Sequence, residues 1–199
     1  SLNGQGAPLV PIGDLYLFSN YKYCINLGGF ANISVKEKKS ITAFDVCPVN
    51  IVMNELSKRL GKEYDTNGNF AKSGNLIPKL FKKLNKLEFY HKKPPKSLSR
   101  EWVEEFINPT FQLSYKTEDV MHTFCEHIAM QIGKHLINEE VLFTGGGVYN
   151  QYLMNRIKHY SDTKIIIPSK EVIDYKEALI FAFLGVLRMR DEVNCLQSV

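Results

Sequence analysis

The sequence predicts an α/β domain in which a mixed five-stranded sheet carries helices on both faces and a helical insertion, with its principal elements in the order βββαβα. Three observations predict it. β-forming segments crowd the first fifty residues, amphipathic helical segments fill the middle, and strand alternates with helix from Val141 onward. With 199 residues, 44% of them hydrophobic, the chain can bury a substantial core without metal or disulfide support.

Taken in order, a glycine-rich stretch from Asn3 to Pro11 leads into strands expected at Leu15 to Phe18 and Tyr21 to Leu27. Phe30 to Lys36 reads as the return strand of a hairpin turning at Gly28 and Gly29, and Ile41 to Val46 as a further strand. Asn50 to Leu60 is helical, with Ile51, Met53, Leu56 and Leu60 as its apolar stripe, Asn50 available as a cap and Gly61 as the stop. Tyr64 to Ser73 is polar and turn-rich; its Asp65-x-Asn67-x-Asn69 spacing hints at a calcium loop, but Leu76 stands where a bidentate carboxylate is needed. Leu76 to Leu87 forms a second amphipathic helix, and Ser99 caps a short one carrying Trp102, Val103 and Phe106. From Thr117, read as another cap, Val120, Phe124, Ile128, Ile132 and Leu136 recur every fourth residue, which describes a long helix packed on a sheet. Val141 to Thr144 and Lys164 to Ile167 are the last strands, and Tyr175 to Arg190 is the closing helix with a small-residue face.

Composition narrows the function classes. A net charge of +4 is modest, and the lysine cluster from Lys79 to Lys96 has no aromatic interleaving of a nucleic-acid module, so it reads as a solvated face and no nucleic-acid partner is expected. Cys24, Cys47, Cys125 and Cys195 form no C-x-x-C pair and read as reduced thiols, while no apolar run reaches a membrane span. A cytoplasmic protein without a membrane partner is the expectation. His122, His127 and His135 share the long helix, but the five-residue step from His122 to His127 splits them between faces, and no protein-held metal is expected.

Two glycine turns carry the chemistry. Val141 to Arg156 reads as strand, glycine turn and helix, with Gly145, Gly146 and Gly147 clearing side chains from the mouth of the sheet. Such a turn is either a nucleotide seat or simply a tight connection. Asn26-Leu27-Gly28-Gly29-Phe30-Ala31-Asn32 is the second: bare N–H groups flanked by the amides of Asn26 and Asn32 suit phosphate oxygens, although an ordinary hairpin has the same look. Together the turns point to one nucleotide gripped at both ends. The element order is that of ribonuclease-H-like, actin-like domains, in which fold alone does not give function.

Blocks spread over nearly the whole chain carry a more specific resemblance: Gly4 to Pro11 with Asp14, Asn26 to Ile33, Phe44-Asp45, Tyr64-Asp65 with Gly68, Pro94 to Ser97 with Arg100-Glu101, Gly145 to Gly147 with Asn150, Glu177-Ala178 with Phe181-Ala182, and Asn194 to Ser198. The chain resembles the anhydro-N-acetylmuramic acid kinases of cell-wall recycling. That resemblance implies ATP and Mg²⁺ as cofactors and an amino-sugar substrate whose 1,6-anhydro bridge is opened while O6 is phosphorylated. It implies nucleotide contacts from Asn26, Gly28, Gly29, Asn32 and Asp45, with Gly28, Gly29 and Asn32 facing the phosphates, an adenosine contact from Gly145 to Gly147 with Asn150, and sugar contacts from Gln5, Gly6 and Glu177. Glu177 could equally be a first-turn acid serving its helix dipole.

The family pattern Asp-x-Gly-Pro-Gly-Asn is altered to Asp45-Val46-Cys47-Pro48-Val49-Asn50, which either sets the phosphates farther out or makes the loop structural. The general base that the resemblance implies would lie just upstream of Ser1, so no catalytic residue is assigned within this sequence. The organisation expected is one C-terminal actin-like lobe over 1–199, with 1–20 as inter-lobe segment, 61–116 as helical insertion, and the N-terminal lobe of the kinase as a partner. An apolar face around Ala7 to Ile12 is expected where that lobe would sit, and a homodimer is a further possibility. The competing readings are a non-catalytic actin-like nucleotide-binding or assembly module and, last, a nucleic-acid-binding surface at Lys82 to Lys96.

Overall fold

A computed structural model describes residues 9–37, 41–136 and 139–194. Its five strands are β1 (Tyr23–Leu27), β2 (Phe30–Lys36), β3 (Ile41–Pro48), β4 (Glu140–Thr144) and β5 (Lys164–Ile166), hydrogen-bonded in the order β3-β2-β1-β4-β5. β1, β2 and β3 run antiparallel, whereas β4 and β5 join parallel to β1, which is the mixed sheet expected from three consecutive strands followed by alternation.

Alternation along the strands divides the sheet's surroundings. Ile25, Leu27, Ile33 and Phe143 point into the main core, where α2 (Asn50–Arg59), α6 (Thr117–Gly133) and α7 (Gln151–Tyr160) cover one face. Val120, Phe124, Ile128 and Ile132 of α6 are all buried there, as are most other residues of that helix, which α3 (Asn69–Ser73), α4 (Pro78–Asn85) and α7 cover along with the sheet. Residues of opposite parity, Ser34 and Thr144, meet α1 (Pro11–Leu17) and α8 (Lys170–Met189) on the other face. There Ile12, Ile180, Leu184 and Leu187 form a separate small core.

Between α2 and α6 the chain makes short helices: α3 (Asn69–Ser73), α4 (Pro78–Asn85) and α5 (Arg100–Trp102), the last running into a π-turn at Val103–Ile107. Ser99 caps α5, its Oγ accepting from the Trp102 N–H. Gly61, at φ 77°, ends α2 with its N–H donating to the Lys58 carbonyl.

Several boundaries differ from the sequence-based expectation. Leu15 to Phe18 is not a strand: Pro11 presets the first turn of α1, and Gly13 lies so close to Ile180 that a Cβ there would come within 2.4 Å of it. Packing against α8 therefore overrides the β-like look of a leucine-aromatic run. Neither Asn50 nor Thr117 is a cap, since both are already the first residues of their helices. α8 begins at Lys170, a turn earlier than Tyr175, which puts Glu171 in its first turn and leaves Glu177 two turns inside. No described helix is long and apolar enough to cross a membrane.

The apolar face expected at Ala7 to Ile12 is described only from Leu9 onward. Residues 1–8 lie outside the described part, and Pro11 and Ile12 are buried under α8. Leu9 is exposed, and α1 and α8 add exposed apolar side chains at Tyr16, Leu179, Phe181, Val186 and Met189, while others, Leu76, Phe106 and Leu113 among them, lie scattered elsewhere.

Candidate functional site

β1 and β4 are parallel neighbours with Asn26 opposite Thr144, so both glycine turns leave the sheet at the same carboxyl edge. Ligands of open α/β sheets bind outside that edge. The turns meet at Leu27. A Cβ on Gly145 would stand 2.8 Å from the Leu27 carbonyl oxygen and 2.6 Å from Asn26 Oδ1, and one on Gly147 would stand 2.7 Å from Leu27 Cβ. Gly145 also has φ 83° and ψ 161°, a conformation essentially reserved for glycine. Two of the three glycines are thus required by packing and backbone. Gly146 is different: a Cβ there meets nothing within 4 Å, so the fold leaves it free for a ligand.

In the hairpin, the Gly28 N–H donates to the Phe30 carbonyl, and the carbonyls of Gly28 and Gly29 accept from Val49, Asn50 and Ile51 at 2.8–3.2 Å. The first amides of α2 are consequently already satisfied, while Gly29 is exposed and has room for a side chain, its nearest neighbour being Ile51 Cβ at 3.8 Å. Asn50 Nδ2 donates to the Leu27 carbonyl at 3.3 Å, pinning α2 to the junction of the two turns.

Beside this junction opens a cavity of about 470 Å³ between α2, the segment 64–67 and the turn 146–150. Asn50, Met53, Asn54, Tyr64, Thr66, Asn67, Tyr149 and Asn150 supply its side chains, with Gly146 and Gly147 at its wall. Asp65 is the one charged residue among them. Its carboxylate reaches over the turn at 66–68 to the first turn of α3, accepting from the Phe70 and Ala71 N–H groups at 2.8 and 3.0 Å, which gives the Asp-x-Asn-x-Asn spacing a role without calcium. Burial raises the Asp65 pKa against the lowering effect of those N–H groups. Amides, hydroxyls and phenol rings without a cation suit a neutral, flat, hydroxyl-bearing ligand better than a phosphate.

The walls are held firmly. Asn150 caps α7, its Oδ1 accepting from the Leu153 N–H at 2.9 Å, and Gly68 lies so close that a Cβ would come within 2.2 Å of that same oxygen. Asn67 takes φ 57°, a left-handed conformation that asparagine tolerates better than most residues.

Of the residues singled out from the sequence, Gly146, Gly147 and Asn150 line the cavity, Gly145 backs it, and Asn26, Gly28 and Gly29 sit at the adjoining turn. Asn32 and Asp45 pair with each other at 3.4 Å beside the β2–β3 bulge, outside the cavity lining. Asp45 accepts from the Leu98 N–H at 2.8 Å and its own N–H donates to the Lys96 carbonyl, so it fastens segment 96–98 to the sheet; burial raises its pKa. Glu177 is exposed on α8 and does not line the cavity, and Gln5 and Gly6 lie outside the described residues.

Cys47 and Val49, the departures from the family pattern, are both fully buried in the main core. Their side chains pack in that core, and burial pushes the Cys47 thiol far up, which argues against a reactive-thiol role. The helix histidines have ordinary partners: His122 Nδ1 meets the Ala71 carbonyl oxygen and His127 Nδ1 the Asn85 Oδ1, each at 2.9 Å. Sequence reasoning missed Met53, Asn54 and Tyr64 to Asn67 as lining. The available signal was the polar Asn67-Gly68 turn after a helix whose outward side carries Asn50 and Asn54.

A mixed sheet of this order, with three antiparallel strands followed by two parallel ones, defines the class: a ribonuclease-H-like, actin-like α/β fold. Its solved neighbours include the activator of the 2-hydroxyisocaproyl-CoA dehydratase from Clostridium difficile with bound ADPNP, at TM-score 0.53 and 13% identity over 93% of this chain and 68% of that one. Component A of the Acidaminococcus fermentans (R)-2-hydroxyglutaryl-CoA dehydratase matches at TM-score 0.53 and 16% identity, over 86% and 63%. At such identities the likeness concerns the fold alone.

The model of the anhydro-N-acetylmuramic acid kinase family matches residues 1–199, and the chain belongs to that family. Relatives bearing that name include proteins of Aliivibrio fischeri, 31% identical over 95% of this chain and 56% of theirs, and Pseudomonas syringae pv. tomato, 35% identical over 92% and 54%. A Bacillus cereus relative is 33% identical over 92% and 54%. The chain therefore spans about half the length of the curated relatives it matches.

Proposed function

We propose that this chain is the C-terminal, nucleotide-holding lobe of an ATP-dependent kinase that opens the 1,6-anhydro bridge of anhydro-N-acetylmuramic acid and phosphorylates O6. One observation carries the reading: two glycine turns converge on Leu27 at the carboxyl edge of β1 and β4, beside a cavity with polar but uncharged walls apart from the engaged Asp65. In this reading the nucleoside occupies the cavity against Gly146, and the phosphates run toward Gly28, Gly29 and Asn26. Asn32 and Asp45 serve the site indirectly, through the bulge and segment 96–98.

Mg²⁺ fits this arrangement as an ion carried mainly by phosphates and water. Among the described residues no group of three or more His, Cys, Asp or Glu side chains could cage it, and Mg²⁺ on nucleotide needs few protein ligands. When bound, it would neutralise phosphate charge during transfer. The chain's own task is positioning, with the general base and much of the sugar site assigned to the kinase's N-terminal lobe. Among the described residues Cys24, Cys47 and Cys125 are free, buried thiols, which accords with work in the reducing cytoplasm.

Two measurements test this. Titration of the chain with ATP and Mg²⁺ should show saturable one-to-one binding. A chimera in which the chain replaces its matched portion of the Aliivibrio fischeri relative should phosphorylate anhydro-N-acetylmuramic acid in an ATP- and Mg²⁺-dependent way. Absence of both activities in folded protein would sink the proposal.

A further inference from the structure

α8 is apolar on two sides. Ile173, Ile180, Leu184 and Leu187 face inward and are buried, yet Leu179, Ala182, Val186 and Met189, at steps of three, four and three, face outward and are exposed. That outward spacing is a heptad seam, the pattern by which one helix packs along another. Leu179 is 47% exposed, Val186 51% and Met189 88%, and Phe181 and α1's Tyr16 extend the patch at 49% and 58%. A surface this apolar normally marks an interface.

From this we infer that the outer face of α8, extended by α1, is the docking surface for the part of the kinase polypeptide that this chain does not span. The inference rests on reading the chain as one lobe of a kinase. Two observations choose this occupant. The relatives carry a further 43–46% of their length without a counterpart here, from coverages of 57% and 54%, so family members have a second body to place. The same helix also brackets the glycine turn. Lys176 Nζ donates to Thr144 Oγ1 at 3.3 Å just before the turn, and Asp174 Oδ1 accepts from the Tyr149 hydroxyl at 3.0 Å just after it. A body seated on α8 is thereby placed against the helix that holds the nucleotide seat.

Cysteine footprinting tests the surface directly. Ala182→Cys is placed on the seam and Lys82→Cys on the remote helix α4, each with Cys195→Ser; Cys24, Cys47 and Cys125 are buried and stay silent. Modification by a charged maleimide is followed in the free chain and in the Aliivibrio chimera, without nucleotide. The expected result is at least ten-fold slower modification of A182C in the chimera, with K82C unchanged. Equal A182C rates in the two proteins overturn the inference, as does concentration-dependent protection in the free chain, which would assign the seam to a second copy. Should the chimera not fold, the remaining portion of the relative is co-expressed with the chain; the same protection in the purified complex is then required, and failure to form a complex overturns the inference. Because labelling is read without ATP, loss of docking and loss of nucleotide binding are separate outcomes.

Discussion

Replacing each glycine of the 145–147 turn by alanine separates what the fold requires from what the ligand requires. Gly145→Ala puts a methyl 2.6–2.9 Å from Asn26 Oδ1 and the Leu27 carbonyl group at a backbone conformation of φ 83°, ψ 161°. The strained conformation costs about 1–3 kcal/mol and the overpacking against immobile backbone a similar amount, so a loss of roughly 3 kcal/mol or more is expected. Gly146→Ala meets nothing within 4 Å and should leave stability within about 0.5 kcal/mol of wild type or raise it slightly, through reduced freedom of the unfolded chain. Its methyl nevertheless stands where the cavity wall is bare. If the nucleoside lies there, ATP affinity should fall at least ten-fold, equivalent to about 1.4 kcal/mol. Urea denaturation gives the stabilities and isothermal titration with ATP and Mg²⁺ the affinities. Wild-type ATP affinity in stable G146A refutes the placement of the nucleotide, and wild-type stability of G145A refutes the packing argument.

Three further outcomes follow from buried groups. Burial drives the His127 pKa down to about 3, whereas the unfolded histidine titrates near 6.5, so the unfolded state binds the extra proton between these values. The stability this group provides is full above pH 6.5 and declines as the pH falls toward 3, by up to about 1.4 kcal/mol per pH unit; His127→Gln should flatten that part of a stability-versus-pH curve. Lys176 and Asp14 form a buried ion pair at 2.7 Å, with Ser34 Oγ also donating to Asp14. Lys176→Met should cost about 3–5 kcal/mol in urea denaturation by stranding the carboxylate, and adding Asp14→Asn should restore part of it; strict additivity of the two losses would contradict direct coupling. In a Cys195→Ser background, Cys24, Cys47 and Cys125 should react with iodoacetamide only as fast as the protein opens, with burial raising the Cys24 pKa to about 11; a prompt native-state reaction would show a thiol to be accessible.

Local pattern by itself determined the strand at 30–36, the strand read as 41–46 that runs on to Pro48, the long helix beside the sheet and, from their glycines, both turns, because each signal is carried by neighbouring residues. The family was legible too, since its blocks are short runs of contiguous residues that can be read without the fold. What sequence could not weigh was contact between distant segments. Leu15 to Phe18 looks β-forming until Gly13 and Ile12 are seen against Ile180, more than 160 positions away. The hold of the Asp45 carboxylate on Asn32 and on the Leu98 N–H, 53 positions away, is equally invisible in the sequence. The cavity likewise joins α2, the segment 64–67 and the glycine turn, whose proximity no local pattern encodes. The three consecutive glycines 145–147 look alike as letters. Only the tertiary structure, by setting Leu27 against the first and third and nothing against the second, decides that two serve the chain and one is open to a ligand.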